Sequence, residues 1–244
     1  MISTNQVELI EADLRERIFS GGLPPNSPLR ISRLSRMSAT GATPVREALS
    51  RLLSEGLVQW TPNKGFRVSP ISRDDLLDIV TTRVTVELGA LGLAMEKGDD
   101  RWEASIVAAH YLSNRILDTQ IENMALAEME SVHHELHMAL IQACGSPRLL
   151  RLAAQLSRHH TRYLRLAFAR PTCNKIDMLA SFANAPPGEV AVANILRESH
   201  QELVDAVLSR QVKYAQELLR DHLSQILILL DIPEVWDAYP PTPA

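Results

Sequence analysis

Apolar positions along the chain set the first frame. Val7, Ile10, Leu14 and Ile18 recur in steps of three and four, the spacing that lines one face of an amphipathic helix. The stripe stops at Gly21-Gly22, and Leu23-Pro24-Pro25-Asn26 reads as a turn. A short helix is predicted over about 31–38, with Leu34 and Met37 on its apolar face. Ala39 to Ala42 is a small-residue turn. Thr43-Pro44 then opens a third helix, with Thr43 as N-cap and Pro44 in the first helical position. Its stripe is Val45, Ala48, Leu49, Leu52 and Leu53, and Gly56 ends it. Leu57-Val58-Gln59-Trp60 and Phe66-Arg67-Val68 read as two short strands around the turn Thr61 to Gly65. Helix, short helix, turn, helix and hairpin are the outline of a winged helix-turn-helix.

From about residue 73 no strand pattern occurs. Leu77, Val80, Val84, Leu88 and Leu91 form one helical stripe, and Trp102, Ile106, Ala109 and Ile116 a second. A third helix covers about 125–144 and stops at Gly145-Ser146-Pro147. A fourth runs over about 148–169 through Leu149, Leu152, Leu156 and Tyr163. Residues 171–188 are irregular, and two more helices cover about 190–209 and 212–230. The fold class is therefore mainly α: a winged helix-turn-helix over 1–70, an all-helical bundle of about six helices over 73–230, and an irregular, proline-rich tail over 231–244.

Charge sharpens this division. The net charge is −4, but residues 1–70 carry nine Lys and Arg against six Asp and Glu, a surplus of three positive charges. The acidic remainder makes the head the part suited to a polyanion. The longest purely aliphatic run, Ile226 to Leu230, is far shorter than the roughly 20 residues a bilayer requires. Glu8, Glu11 and Asp13 stand where a signal peptide needs an apolar stretch. Two cysteines, Cys144 and Cys173, suit a reducing compartment. The expectation is a cytoplasmic protein with no membrane partner.

Four histidines fall inside apolar stripes. Met129, His133, His137, Leu140 and Cys144 share one face; so do His200, Leu203 and Val207, and likewise Ala215, Leu218, His222 and Ile226. A buried imidazole needs partners, and an unsatisfied buried polar group costs roughly 1–3 kcal/mol. Four imidazoles on three facing helices point to one divalent transition metal, zinc or nickel, held by His133, His137, His200 and His222. His110, His134, His159 and His160 lie off these stripes and read as surface residues.

The ordered segments Thr43-Pro44-Val45-Arg46-Glu47-Ala48-Leu49, Leu52-Leu53-Ser54-Glu55-Gly56-Leu57-Val58 and Asn63-Lys64-Gly65-Phe66-Arg67-Val68 resemble the GntR family of bacterial transcription regulators. The resemblance covers residues 5–70 and includes the Leu23-Pro24-Pro25 turn. It implies operator DNA as partner, with the third helix in the major groove and the hairpin tip at the minor groove. Repression is the family's default. Candidate DNA contacts are Arg33, Arg36, Thr43, Arg46, Lys64 and Gly65. Arg46 stands in the first helical turn, where side chains reach phosphates or a guanine edge. The family usually has Ser-Arg before Thr-Pro; Gly41-Ala42 stands here, so base readout from position 42 is lost.

The helical body resembles the FCD effector domain of the FadR subfamily. That resemblance implies a homodimer, a bound metal and a small organic acid effector. The family's paired metal histidines correspond to His200 and His222, and an Asp-x-x-x-His pair to His133 and His137, so His133 replaces the usual Asp. Leu76, Val80, Arg83, Glu87 and Ala90 share a face, which puts a guanidinium against the core. Arg83 is either the carboxylate clamp for the effector or the i, i+4 partner of Glu87. Two other readings stay open: a helical metalloenzyme such as a metal-dependent oxidase, and a purely structural dimerisation bundle. No phosphate loop, nucleophile elbow or dinucleotide fingerprint occurs, so an enzyme is not expected.

Overall fold

A computed structural model describes residues 4–117, 126–168 and 189–229. The irregular stretch expected at 171–188, Cys173 and the tail lie outside the described residues. Residues 4–75 group with 161–168 into one compact unit, and residues 76–160 with 189–229 into another.

The first unit holds α1 (Thr4–Phe19), α2 (Ile31–Met37), α3 (Ala42–Ser54), β1 (Val58–Thr61) and β2 (Gly65–Val68). Val7, Ile10, Leu14 and Ile18 of α1 pack with Leu34, Val45, Ala48, Leu49, Leu52, Val58 and Val68 in one aliphatic core. Two expected core residues point outward instead. Met37 and Leu53 are 47% and 40% exposed, because each adjoins the buried stripe of its helix without lying on it. The start of α3 also differs from the expectation. Gly41, in extended backbone, is the N-cap and makes no side-chain cap, so Ala42, Thr43 and Pro44 form the first turn. Proline fits there because the first four N–H groups of a helix have no intrahelical acceptor.

The antiparallel pair β1–β2 has the register Val58 to Val68, Gln59 to Arg67, Trp60 to Phe66 and Thr61 to Gly65. Its tip turns through Asn63 and Gly65, both at positive φ (62° and 74°). Residues 26–29 run beside β2. Leu29 N donates to Phe66 O at 2.8 Å, and Val68 N to Ser27 O at 3.0 Å. The segment after β2 is tied down by residues 161–168: Arg162 donates to Ser69 O, and the Tyr163 hydroxyl donates to Asp75 and accepts from Ser72 N at 3.1 Å.

The second unit holds α4 (Arg73–Lys97) from Leu76 onward, α5 (Asp100–Leu117), α6 (Leu126–Ile141), α7 (Pro147–Phe168) as far as His160, α8 (Glu189–Leu208) and α9 (Val212–Leu229). Leu91, Ala94, Ile106, Leu136, Leu140, Val207, Ala215 and Leu219 fill its centre. Leu77 and Leu152, expected inside, are 52% and 47% exposed. The buried line of α4 runs instead through Leu76, Val80, Arg83, Glu87 and Ala90, and that of α7 through Ala153, Ser157 and His160. Both lines contain polar residues that an apolar count passes over. Arg210, at positive φ, closes the end of α4 by donating to Met95 O and Gly98 O, and its guanidinium lies 4.8 Å over the Trp102 ring.

Candidate functional site

On the head, ion pairing sorts the cations into two sets. Arg15 is held by Glu11 and Glu55, Arg17 by Asp13, and Arg51 by Glu47 and Glu11. Glu16 is held by Arg165 at 3.0 Å. By contrast Arg30, Arg33, Arg36, Arg46, Lys64 and Arg67 enter none of these pairs with carboxylates. A surplus of three charges therefore understates the free positive surface, because five of the head's six carboxylates are taken up by other arginines.

Four of the unpaired cations converge. Arg30, Arg46, Lys64 and Arg67 line a groove of about 510 Å³, with Gly65, Phe66 and Trp60 completing its wall. No acidic residue lines it. Arg46 arrives from the exposed face of α3, whose opposite face is buried through Val45, Ala48, Leu49 and Leu52. Arg67 and Lys64 come from the hairpin, and Arg30 from the segment beside β2. Arg33, Arg36 and Thr43 are exposed but lie outside the groove lining. Sequence reasoning missed Arg30, Arg67 and Trp60. The indole is 54% exposed beside cations, a placement that alternation along a short strand does not reveal.

In the helical unit the four expected histidines meet. His133 and His137 stand one turn apart on α6, His200 on α8 and His222 on α9. Each offers a nitrogen, and all four nitrogens lie within 4.8 Å of one another. The Nε2 atoms of His133, His137 and His222 form a near-equilateral triangle of 3.1, 3.2 and 3.1 Å. Tetrahedral bonds of about 2.0–2.1 Å to an ion place donor atoms roughly 3.3–3.4 Å apart, so the triangle approximates one face of such a site. Burial, reinforced by the neighbouring imidazoles and Arg83, holds His133, His137 and His222 well below the usual histidine pKa. They are thus neutral with lone pairs free, the form a metal takes. The four residues could hold a transition-metal ion, for which imidazole is a suitable donor.

Arg83 and Glu87 are each 2% exposed and pair at 2.5 Å, so the i, i+4 partnership is the one formed. The remaining histidines correct an expectation. His110 and His160 are buried, and His134 and His159 are half-buried, rather than on the surface. His110 contacts Asn114 at 3.1 Å, and His134 contacts Ser157 at 3.0 Å. His110 continues the line Trp102 and Ile106 at i+4 steps, a signal that an apolar-only pattern discards.

Residues 6–68 match the bacterial regulatory proteins of the gntR family, and residues 78–225 match the FCD domain. The chain belongs to the GntR family. Its FCD domain fits the FadR subfamily. This GntR-family chain is 34% identical over 210 residues to the HTH-type transcriptional repressor GlaR of Escherichia coli K12, covering 86% of this chain and 89% of that one. It is 33% identical over 225 residues to the HTH-type transcriptional regulator BphR of Paraburkholderia xenovorans LB400, covering 90% and 84%. Among solved structures, E. coli McbR/YncC shares the fold with a TM-score of 0.68 at 21% identity, over 98% of this chain and 100% of that one. These relatives are transcription regulators and not enzymes, so the metalloenzyme reading is set aside.

Proposed function

We propose that this GntR-family regulator is a metal-dependent repressor: a homodimer that binds operator DNA through residues 1–70 and senses a small organic acid in an effector domain spanning 73–230. The observation that carries the reading is the convergence of four imidazole nitrogens within 4.8 Å inside the FCD region. His133, His137, His200 and His222 would hold a divalent ion, zinc or nickel, whose chemistry is to fix the three helices and attract an anion. Four neutral ligands leave its charge uncompensated, which favours a carboxylate effector, and Arg83 lies beside this centre. Zinc can expand from four ligands to five to admit an oxygen.

For DNA, Arg46 and the groove cations Arg30, Lys64 and Arg67 supply phosphate contacts, with Arg33 and Arg36 flanking them and Thr43 and Gly65 at the backbone approaches. Phosphate contacts fix register without reading sequence. With Ala42 carrying no polar group, specificity falls on Arg46 and on the shape of the minor groove at the hairpin. Two-fold symmetry of the protein then requires a palindromic operator. Action on DNA places the protein in the cytoplasm.

The test is metal analysis joined to operator binding. Protein purified without chelator should contain about one zinc or nickel per chain and bind a DNA fragment from its own regulatory region. Stripping the metal should alter that affinity. Metal-free protein that takes up neither ion overturns the metal reading, and absence of duplex binding at low salt overturns the DNA reading.

A further inference from the structure

Two buried polar atoms face each other beside the histidines. Oε2 of Glu87 and Nδ1 of His137 each lack a hydrogen-bond partner. They stand 3.7 Å apart, on side chains 2% and 3% exposed. The other carboxylate oxygen of Glu87, Oε1, accepts from Nε of Arg83 at 2.5 Å. The other ring nitrogen of His137, Nε2, is a corner of the nitrogen triangle. Guanidinium, carboxylate, imidazole and ion site therefore follow one another in a line.

The chemistry of the two orphan atoms is complementary. A carboxylate oxygen only accepts. If Nε2 of a neutral imidazole gives its lone pair to an ion, Nδ1 carries the hydrogen and must donate. A shift of under about 1 Å brings the pair to hydrogen-bond distance. A buried ion pair is by itself a weak source of stability, because desolvation offsets its attraction. An Arg83–Glu87 pair with no further purpose would thus be an expensive way to fill the core. Its second oxygen, aimed at the ring of one ligand, supplies that purpose.

We propose that Glu87 is a positioning residue of the metal centre: it accepts the Nδ1 proton of His137, fixes the tautomer that offers Nε2 to the ion, and is held in place by Arg83. The proposal rests on the four-histidine reading. It also refines Arg83, whose Nε–H is taken up by Glu87; an anion bound at the terminal N–H groups of the guanidinium competes with that pair. Effector and metal are then linked: an anion that draws Arg83 away leaves Glu87 as a freer acceptor for His137, and by reciprocity the ion favours that anion.

The experiment uses full-length protein stripped of metal and titrated with zinc against a chromophoric chelator, and separately with cobalt followed by its visible absorption. Three variants are compared with wild type: Glu87→Gln, Glu87→Asp, and the double variant Arg83→Met with Glu87→Gln. The double variant removes both charges at similar shape, so it keeps the test usable if a lone Arg83 prevents folding. Loss of such an outer-shell partner should weaken zinc binding about 10–100-fold. The double variant should show that loss while its cobalt bands keep tetrahedral intensity, and Glu87→Asp should recover part of the affinity. Zinc binding by the folded double variant within threefold of wild type overturns the role of Glu87 and leaves the metal site standing. Wild type that takes up neither zinc nor cobalt overturns both.

Discussion

The division of head cations into paired and unpaired sets makes a quantitative prediction about salt. Replacing Arg30 and Arg67 by alanine removes two of the six unpaired cations from each head, whereas replacing Arg15 and Arg51 removes two that are already neutralised by Glu11, Glu47 and Glu55. Each phosphate neutralised contributes about −0.9 to the slope of log K against log salt, so two heads engaging all their unpaired cations give a slope near −11. The Arg30/Arg67 variant loses four contacts per dimer, and its slope should fall to about −7. The Arg15/Arg51 variant should keep the wild-type slope, with any cost appearing as stability. The assay is fluorescence anisotropy on a labelled random-sequence duplex of about 30 base pairs, titrated at several potassium chloride concentrations. Parallel slopes for wild type and Arg30/Arg67, or equal losses in the two variants, would refute the sorting argument.

Three further outcomes are expected. His200→Ala should lose most bound metal, read by elemental analysis of the purified protein; full occupancy would remove His200 from the ligand set. Metal-stripped protein should lose stability as pH falls. His133, His137, His160 and His222 are held neutral in the fold with pKa well below 6.5, while the unfolded chain takes up those protons near 6.5. Stability is therefore full above that pH and drains away below it, and equal melting temperatures at pH 7.5 and 5.5 would contradict this. Gly98→Ala should destabilise the helical unit by about 1–3 kcal/mol or more through overpacking, because an added Cβ would lie 1.9 Å from the Trp102 ring; an unchanged urea midpoint would sink it.

Much of the fold is legible because its apolar spacing is regular. The stripe of α1 is buried as read, and the i, i+4 spacing of His133 and His137 on a stripe leading to Leu140 announces their shared inward face. Legibility fails where polarity enters the core. On α4, a helix with apolar residues on several sides, Leu77 looks as good a core residue as Leu76, and only packing decides between them. Arg83 is buried against Glu87 and Ser157 against His134, a property of three-dimensional neighbours. The same holds for the groove. Arg17 with Asp13 is a pair visible in sequence, but Arg15 with Glu55 joins residues 40 positions apart. Without such long-range pairs the free cations cannot be told from the neutralised ones.

That sorting also bears on how the head meets DNA, before any contact forms. Carboxylates locked against Arg15, Arg17, Arg51 and Arg165 make that part of the surface electrically quiet, while the groove stays uniformly positive. On the proposed reading, in which the groove meets DNA, the domain carries its unpaired positive charge on its recognition side. In the field of a duplex it feels a torque as well as an attraction, so it turns groove-first during approach and fewer encounters are wasted. Orientation of this kind acts on the association rate, and salt screens it within about 10 Å at 0.1 M.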